Sequence, residues 1–195
     1  MSTQVSNYPT LSSALWPSSA IARSIILAIA GSLLLWLSAK VQVPFFPVPM
    51  TMQTLVVLSI GAAFGWRLGG ATVLLYLAQG AAGLPVFAGT PEKGIGLAYM
   101  TGPTGGYLVG FVLAAVIVGW LAEKGFDRNL FKMFAAMVVG NAAIYLPGVG
   151  WLAYLFDLEK ALAWGLTPFI YGDFAKAGLA AALFPAIWAL VKKNR

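Results

Sequence analysis

Cysteine and histidine are both absent from this chain of 195 residues, and charged residues are scarce at 9%. Without cysteine there is no disulfide, no thiolate metal site and no thiol nucleophile. Without histidine the chain lacks the commonest general base, proton shuttle and metal ligand near neutral pH. Ser-His and Cys-His mechanisms are thereby excluded. No G-x-x-x-x-G-K-[ST] phosphate loop is present either, because Lys93 precedes Gly94 instead of following a glycine. The chain is therefore expected to be no enzyme and to carry no metal or cofactor.

What is abundant is apolar. Sixty per cent of the residues are hydrophobic, and the charged fraction falls far below the roughly 25% of a soluble domain. The expected fold class is all-α integral membrane. The net charge of +6 suggests a nucleic-acid partner only superficially. The bases flank apolar runs and are not interleaved with exposed aromatics, so membrane topology accounts for them and no nucleic acid is expected. Residues 1–20, with Pro9, Pro17 and six serines, lack a basic segment followed by an apolar core and are expected to form a polar tail. Residues 21–195 are expected to form a single membrane domain.

Six apolar runs are long enough, or nearly so, to cross a hydrocarbon core about 30 Å thick. They are Ile21 to Ala39, Met52 to Phe64, Gly69 to Leu84, Pro103 to Ala122, Phe131 to Phe156 and Pro168 to Val191. The second and third are short and separated only by Gly65-Trp66-Arg67-Leu68, read as a tight turn; one long broken helix, giving five spans, is the alternative. Six spans with both termini cytoplasmic put Arg23, Arg67, Lys124, Arg128, Lys132, Lys192, Lys193 and Arg195 inside. Only Lys40, Lys93 and Lys160 then lie outside, eight against three, as the positive-inside rule requires. The expected location is the cell membrane.

Two outside segments are unusual. Val43 to Pro49 holds three prolines, which favours extended backbone dipping into the protein. Pro85 to Gly102 is a long glycine-rich loop of the kind that serves as a lid, and its Val86, Phe87, Ile95, Leu97, Tyr99 and Met100 call for burial. Gly106 and Gly110 form a small-x-x-x-small pair that lets helices approach closely. Ser24, Ala28 and Ser32 form a similar stripe on the first span, which serves either internal packing or partner docking.

The most informative charges are Asp173 and Lys176, three residues apart within the last apolar run and so on one helical face. Each ionisable group at bilayer depth opposes insertion by about 2.5–3.5 kcal/mol, so a use is expected. From Pro168, Asp173 lies ~8 Å and Lys176 ~12 Å inward, in the outer half of the membrane. Lys93 and Gln53 approach from the same side, and Asn141 and Tyr145 lie one turn apart on the fifth span. Together these six suit a small, largely apolar ligand with one anionic end and a neutral hydrogen-bonding end. The competing readings are an ion pair that only locks helix packing, interhelical hydrogen bonds for Gln53, Asn141 and Tyr145, and a solvated loop position for Lys93.

At these residues the chain resembles the BioY family, the biotin-binding S components of energy-coupling-factor (ECF) transporters. The matching strings are Val48-Pro49-Met50-Thr51-Met52-Gln53-Thr54, Gly83-Leu84-Pro85-Val86-Phe87-Ala88-Gly89, Thr101-Gly102-Pro103-Thr104-Gly105-Gly106-Tyr107-Leu108-Val109-Gly110-Phe111, Tyr145-Leu146-Pro147-Gly148-Val149-Gly150-Trp151-Leu152 and Gly172-Asp173-Phe174-Ala175-Lys176. The resemblance implies a six-helix S-component fold and capture of biotin as a transported ligand from outside. Its partners would be a transmembrane T subunit and two ATP-binding cassette ATPases, although some members of the family occur without dedicated partners. It also implies that Asp173 and Lys176 engage the ureido ring and that Lys93 meets the valerate carboxylate. The family's docking signature on the first helix is approximated by Ser24, Ala28 and Ser32. The alternatives are an S component for thiamine or riboflavin, an intramembrane hydrolase built on Asp173 or a Ser-Lys pair, and a purely structural membrane subunit.

Overall fold

The structure of the protein, a computed structural model, describes residues 8–17 and 21–193. The expected tail lies partly outside these residues. Its described part carries a one-turn helix α1 (Leu11–Leu15), capped by the Thr10 hydroxyl, whose Leu11 and Ala14 are buried in the core. Helix α2 (Ile21–Lys40) follows. The proline-rich segment is not a continuous extended strand: β1 (Gln42–Val43) pairs antiparallel with β2 (Met50–Thr51), and the prolines form the bent connection between them, with Pro47, Val48 and Pro49 buried in the protein.

Helix α3 (Gln53–Ala81) is continuous in sequence but not in direction. Gly65 has φ +81° and ψ 173°, a conformation that a side chain would strain, and the chain reverses there. Gln53 and Tyr76 consequently meet in a 2.7 Å hydrogen bond, although 23 residues of straight helix would hold them ~34 Å apart. The tight turn lies where the sequence placed it. By length and composition five helices among the described residues can cross a membrane, and the third of them folds back on itself at Gly65. Neither arm of α3 alone reaches the ~20 residues of an isolated span; both are enclosed by neighbouring helices.

The long loop after α3 contains a short helix, α4 (Gly96–Met100). Val86, Phe87 and Tyr99 are buried as expected, whereas Ile95 and Leu97 are exposed. Phe87 accounts for the difference: it fills the space between Tyr76 and Tyr99, packing edge-on to one ring and stacking on the other, which leaves Ile95 and Leu97 on the outer side. The remaining elements are α5 (Gly105–Glu123), α6 (Leu130–Leu155), α7 (Leu158–Gly165) and α8 (Ile170–Lys193). Helix α5 lies centrally, against α3 and α6. Gly106 and Gly110 sit at its contact with α6, where the backbones touch: a Cβ on Gly110 would stand 2.7 Å from the Ile144 Cα.

The two ends of the bundle differ in charge. Arg23, Arg67, Lys124, Arg128, Lys132, Lys192 and Lys193 gather at one end, and the N-termini of α3, α5 and α8 open at the other. The basic end is fastened by Asp127, 1% exposed, which accepts a 2.5 Å hydrogen bond from the Trp188 indole. Arg128 lies over the rings of Trp188 and Tyr8 and donates to the Pro9 carbonyl. Burial pushes the Asp127 carboxyl above its usual range, against the opposing influences of Trp188 and Arg128.

Two outcomes follow from this architecture. Gly110→Val should lower the melting temperature in detergent, at a cost of about 1–3 kcal/mol for overpacking; an unchanged melting temperature would mean that α5 and α6 do not touch there. Because the Asp127 carboxyl holds its proton more tightly when folded, its contribution to stability falls as pH rises from the ordinary carboxylate range through its raised value. Asp127→Asn should therefore flatten the dependence of the melting temperature on pH across that window, which a melting series in mildly acidic to neutral buffers would reveal.

Candidate functional site

At the end opposite the basic cluster the helices part around a cavity of about 540 Å³, counting the space open at its mouth. Thr51 lines it from the end of β2, Gln53 and Thr54 from the start of α3, Tyr107, Leu108 and Phe111 from α5, Tyr145 from α6, and Asp173 and Lys176 from α8. The proline-rich segment adds Val48 and Pro49, and the long loop adds Ala88 and Tyr99.

Its polar centre is the Asp173–Lys176 pair. The Lys176 ammonium stands 2.9 Å from Asp173 Oδ1, and the two side chains are 12% and 6% exposed. Their spacing on α8 places both toward the cavity, and the first arm of α3 completes their bonding. Lys176 also donates to the Thr51 carbonyl at 2.8 Å and to Thr54 Oγ1 at 2.9 Å, which engages all three of its protons. Asp173 Oδ1 accepts from the Thr54 hydroxyl at 3.0 Å, and Oδ2 accepts from the Tyr145 hydroxyl. A lone charge in this apolar setting would be costly; pairing, with every ammonium proton engaged, offsets much of that cost.

The other expected residues separate. Gln53 is buried and lines the cavity, with its amide nitrogen bonded to the Tyr76 hydroxyl and, at 3.5 Å, to the Leu35 carbonyl. Tyr145 lines the cavity as expected. Asn141 does not: it lines a neighbouring crevice with Val138, Ala142, Ile170 and Phe174, which also touches Tyr145 and Asp173. Lys93 is exposed, its aliphatic stem lies over Gly89, and it is not part of the cavity wall. On α2, Ser32 is buried and donates to the Gln79 side chain, and Ser24 and Ala28 are half-buried on the same face. The inward end of that stripe is thus occupied within the chain, because the second arm of α3 folds back against it.

Sequence reasoning missed Thr51 and Thr54. Each was part of a recognised string, but hydroxyls at a helix start read as caps, and Thr51 Oγ1 does accept the Gln53 N–H. It also missed Lys40, counted only as an outside charge. Its ammonium binds the carbonyls of Pro85, Phe87 and Thr90 at 3.0–3.2 Å and so ties the first half of the long loop to α2. The Tyr76 and Tyr99 hydroxyls hold the carbonyls of Val86 and Ala88, both at 2.9 Å. Acid, amine, phenol and hydroxyls therefore meet at one end of an aromatic-walled slot, closed on one side by a loop whose base is pinned.

Known proteins resemble the chain at every level. The model of the BioY family matches residues 4–193. The biotin transporter BioY of Thermotoga maritima is 39% identical over 162 residues, which cover 83% of this chain and 93% of that one. The biotin transporter BioY of Rhizobium etli is 37% identical over 161 residues, 78% of this chain and 84% of its own. Among solved structures, the S-component for biotin from an ECF-type ABC transporter superposes with a TM-score of 0.74 over 86% of this chain and 92% of that one; at 23% identity it is a likeness of fold. A family match that runs nearly end to end, with relatives this similar over most of their own length, makes this chain a member of the BioY family.

Proposed function

We propose that the protein is the biotin-binding subunit of an ECF-type transporter, taking up biotin in the cavity at the end of the bundle away from its basic cluster. The single observation that carries this reading is the pair of a buried Asp173 and a half-buried Lys176 at the polar end of an aromatic-walled slot. A cyclic urea has N–H donors beside a carbonyl acceptor, and it meets its complement in a carboxylate beside an ammonium. Asp173 Oδ2 accepts one ureido N–H, and Lys176 exchanges Thr54 Oγ1 for the ureido oxygen, each a charge-assisted hydrogen bond. Tyr107, Phe111 and Tyr145 take the sulfur ring and the aliphatic chain.

The basic end faces the cytoplasm by the positive-inside rule, so the cavity opens outward and both termini lie inside a multi-pass cell-membrane protein. The sequence has no G-x-x-x-x-G-K-[ST] loop for nucleotide hydrolysis, and inward delivery depends on an energising module, a T subunit with two ABC ATPases. Thiamine and riboflavin fit less well, since biotin is the cargo named for the relatives in Thermotoga and Rhizobium. The ligand carboxylate has no cation among the described lining residues other than Lys176. Lys93, on the loop that supplies Ala88 and Tyr99, is the residue we assign to it, turning off Gly89 when the ligand is bound.

Asp173→Asn should weaken biotin binding by ~1.5–3 kcal/mol, the range for a hydrogen bond to a charged group; equilibrium binding to purified protein tests it, and full affinity in a folded variant would remove Asp173 from the site. For Lys93→Ala the comparison is between biotin and a neutral biotin amide. A larger loss for biotin is expected, and equal losses would take Lys93 out of the carboxylate role.

A further inference from the structure

Asn141 is 8% exposed, and its side-chain oxygen has no hydrogen-bond partner among the described residues. A buried amide oxygen left unpaired is costly, and such groups are rare in folded proteins. It faces a crevice between α6 and α8 that shares two residues, Tyr145 and Asp173, with the main cavity. The Tyr145 hydroxyl is bonded to Asp173 Oδ2, and that bond stands where the two spaces meet. Tyr145 follows Asn141 by one helical turn on the same face, and long helical side chains lean back over the preceding turn.

We propose that Asn141 is the alternate acceptor for the Tyr145 hydroxyl, so that Tyr145 turns from Asp173 to Asn141 when a ligand N–H takes its place. This rests on the reading of the cavity as a urea-binding site and deepens it. In the structure Asp173 has Oδ1 engaged by Thr54 and Lys176 and Oδ2 by Tyr145. Of these donors Tyr145 is the one with a second acceptor waiting. Thr54 and Lys176 are bonded to each other as well as to Asp173, and moving Thr54 breaks two contacts while moving Lys176 breaks three. Transfer of the Tyr145 proton donor to Asn141 fills one vacant acceptor as it frees another, so the ligand enters without leaving a buried hydroxyl unpaired. Asn141 then acts on affinity without touching the ligand. It is a positioning residue.

The test is a double-mutant cycle on biotin affinity, with the melting temperature of each ligand-free variant confirming that it folds. Asn141→Leu should weaken biotin by about fivefold or more where Tyr145 is present, and by less than about twofold in a Tyr145→Phe background, which has no hydroxyl to rehouse. Asn141→Ala supplies the same comparison should the leucine variant not fold. Equal losses in both backgrounds, or no loss in either, overturn the proposal while leaving biotin binding by the unsubstituted chain intact. An unsubstituted chain that does not bind biotin overturns the functional reading and this inference together.

Discussion

One contact organises the functional end of this protein: the Lys176 ammonium against the Asp173 carboxylate, within a bundle that is otherwise almost free of charge. Neither partner is tolerable alone at that depth. Together they still compare poorly with a well-packed apolar pair on stability alone. The surrounding structure supplies what the pair lacks. Thr51 at the end of β2, Thr54 on α3 and Tyr145 on α6 complete the bonding of both charges, so α3, α6 and α8 are held in register around one polar spot. Apolar walls keep water from competing there, and each hydrogen bond offered to a ligand is correspondingly strong.

That requirement explains the folding of α3. A straight helix would carry its second half away from the cavity. By reversing at Gly65 the chain brings Tyr76 back beside Gln53, and from there the Tyr76 hydroxyl reaches the loop at Val86. Lys40 holds the same loop from the other side. The base of the loop is therefore pinned, and Pro91 to Ile95 lie outside the core, where Lys93 and Gly94 donate to the carbonyls of Gly89 and Pro91.

The charged pair, the reversal at Gly65 and the close approach of Gly106 and Gly110 to α6 were all legible in the sequence, since each has a local cause: spacing along one helix, a turn signal, or the absence of a side chain. Lys93 and Asn141 show where such reasoning stops. Both have suitable chemistry at suitable positions, yet one projects outward over Gly89 and the other faces a different crevice. Ser32 was ambiguous between internal packing and docking, and only the folded-back arm carrying Gln79 decided between them.

By itself the amino-acid order determined the membrane setting, the helical class, the sidedness of charge and the identity of the two buried ions. These depend on hydropathy, periodicity and residue chemistry, which are properties of segments. Tertiary structure alone decided that Thr51, Thr54 and Tyr145 complete the pair, that Lys40 pins the loop, and that Asn141 keeps an unpaired oxygen beside the site. A hydrogen bond across 119 or 125 residues of chain depends on how helices are rotated about their axes against one another, and no local pattern encodes that rotation.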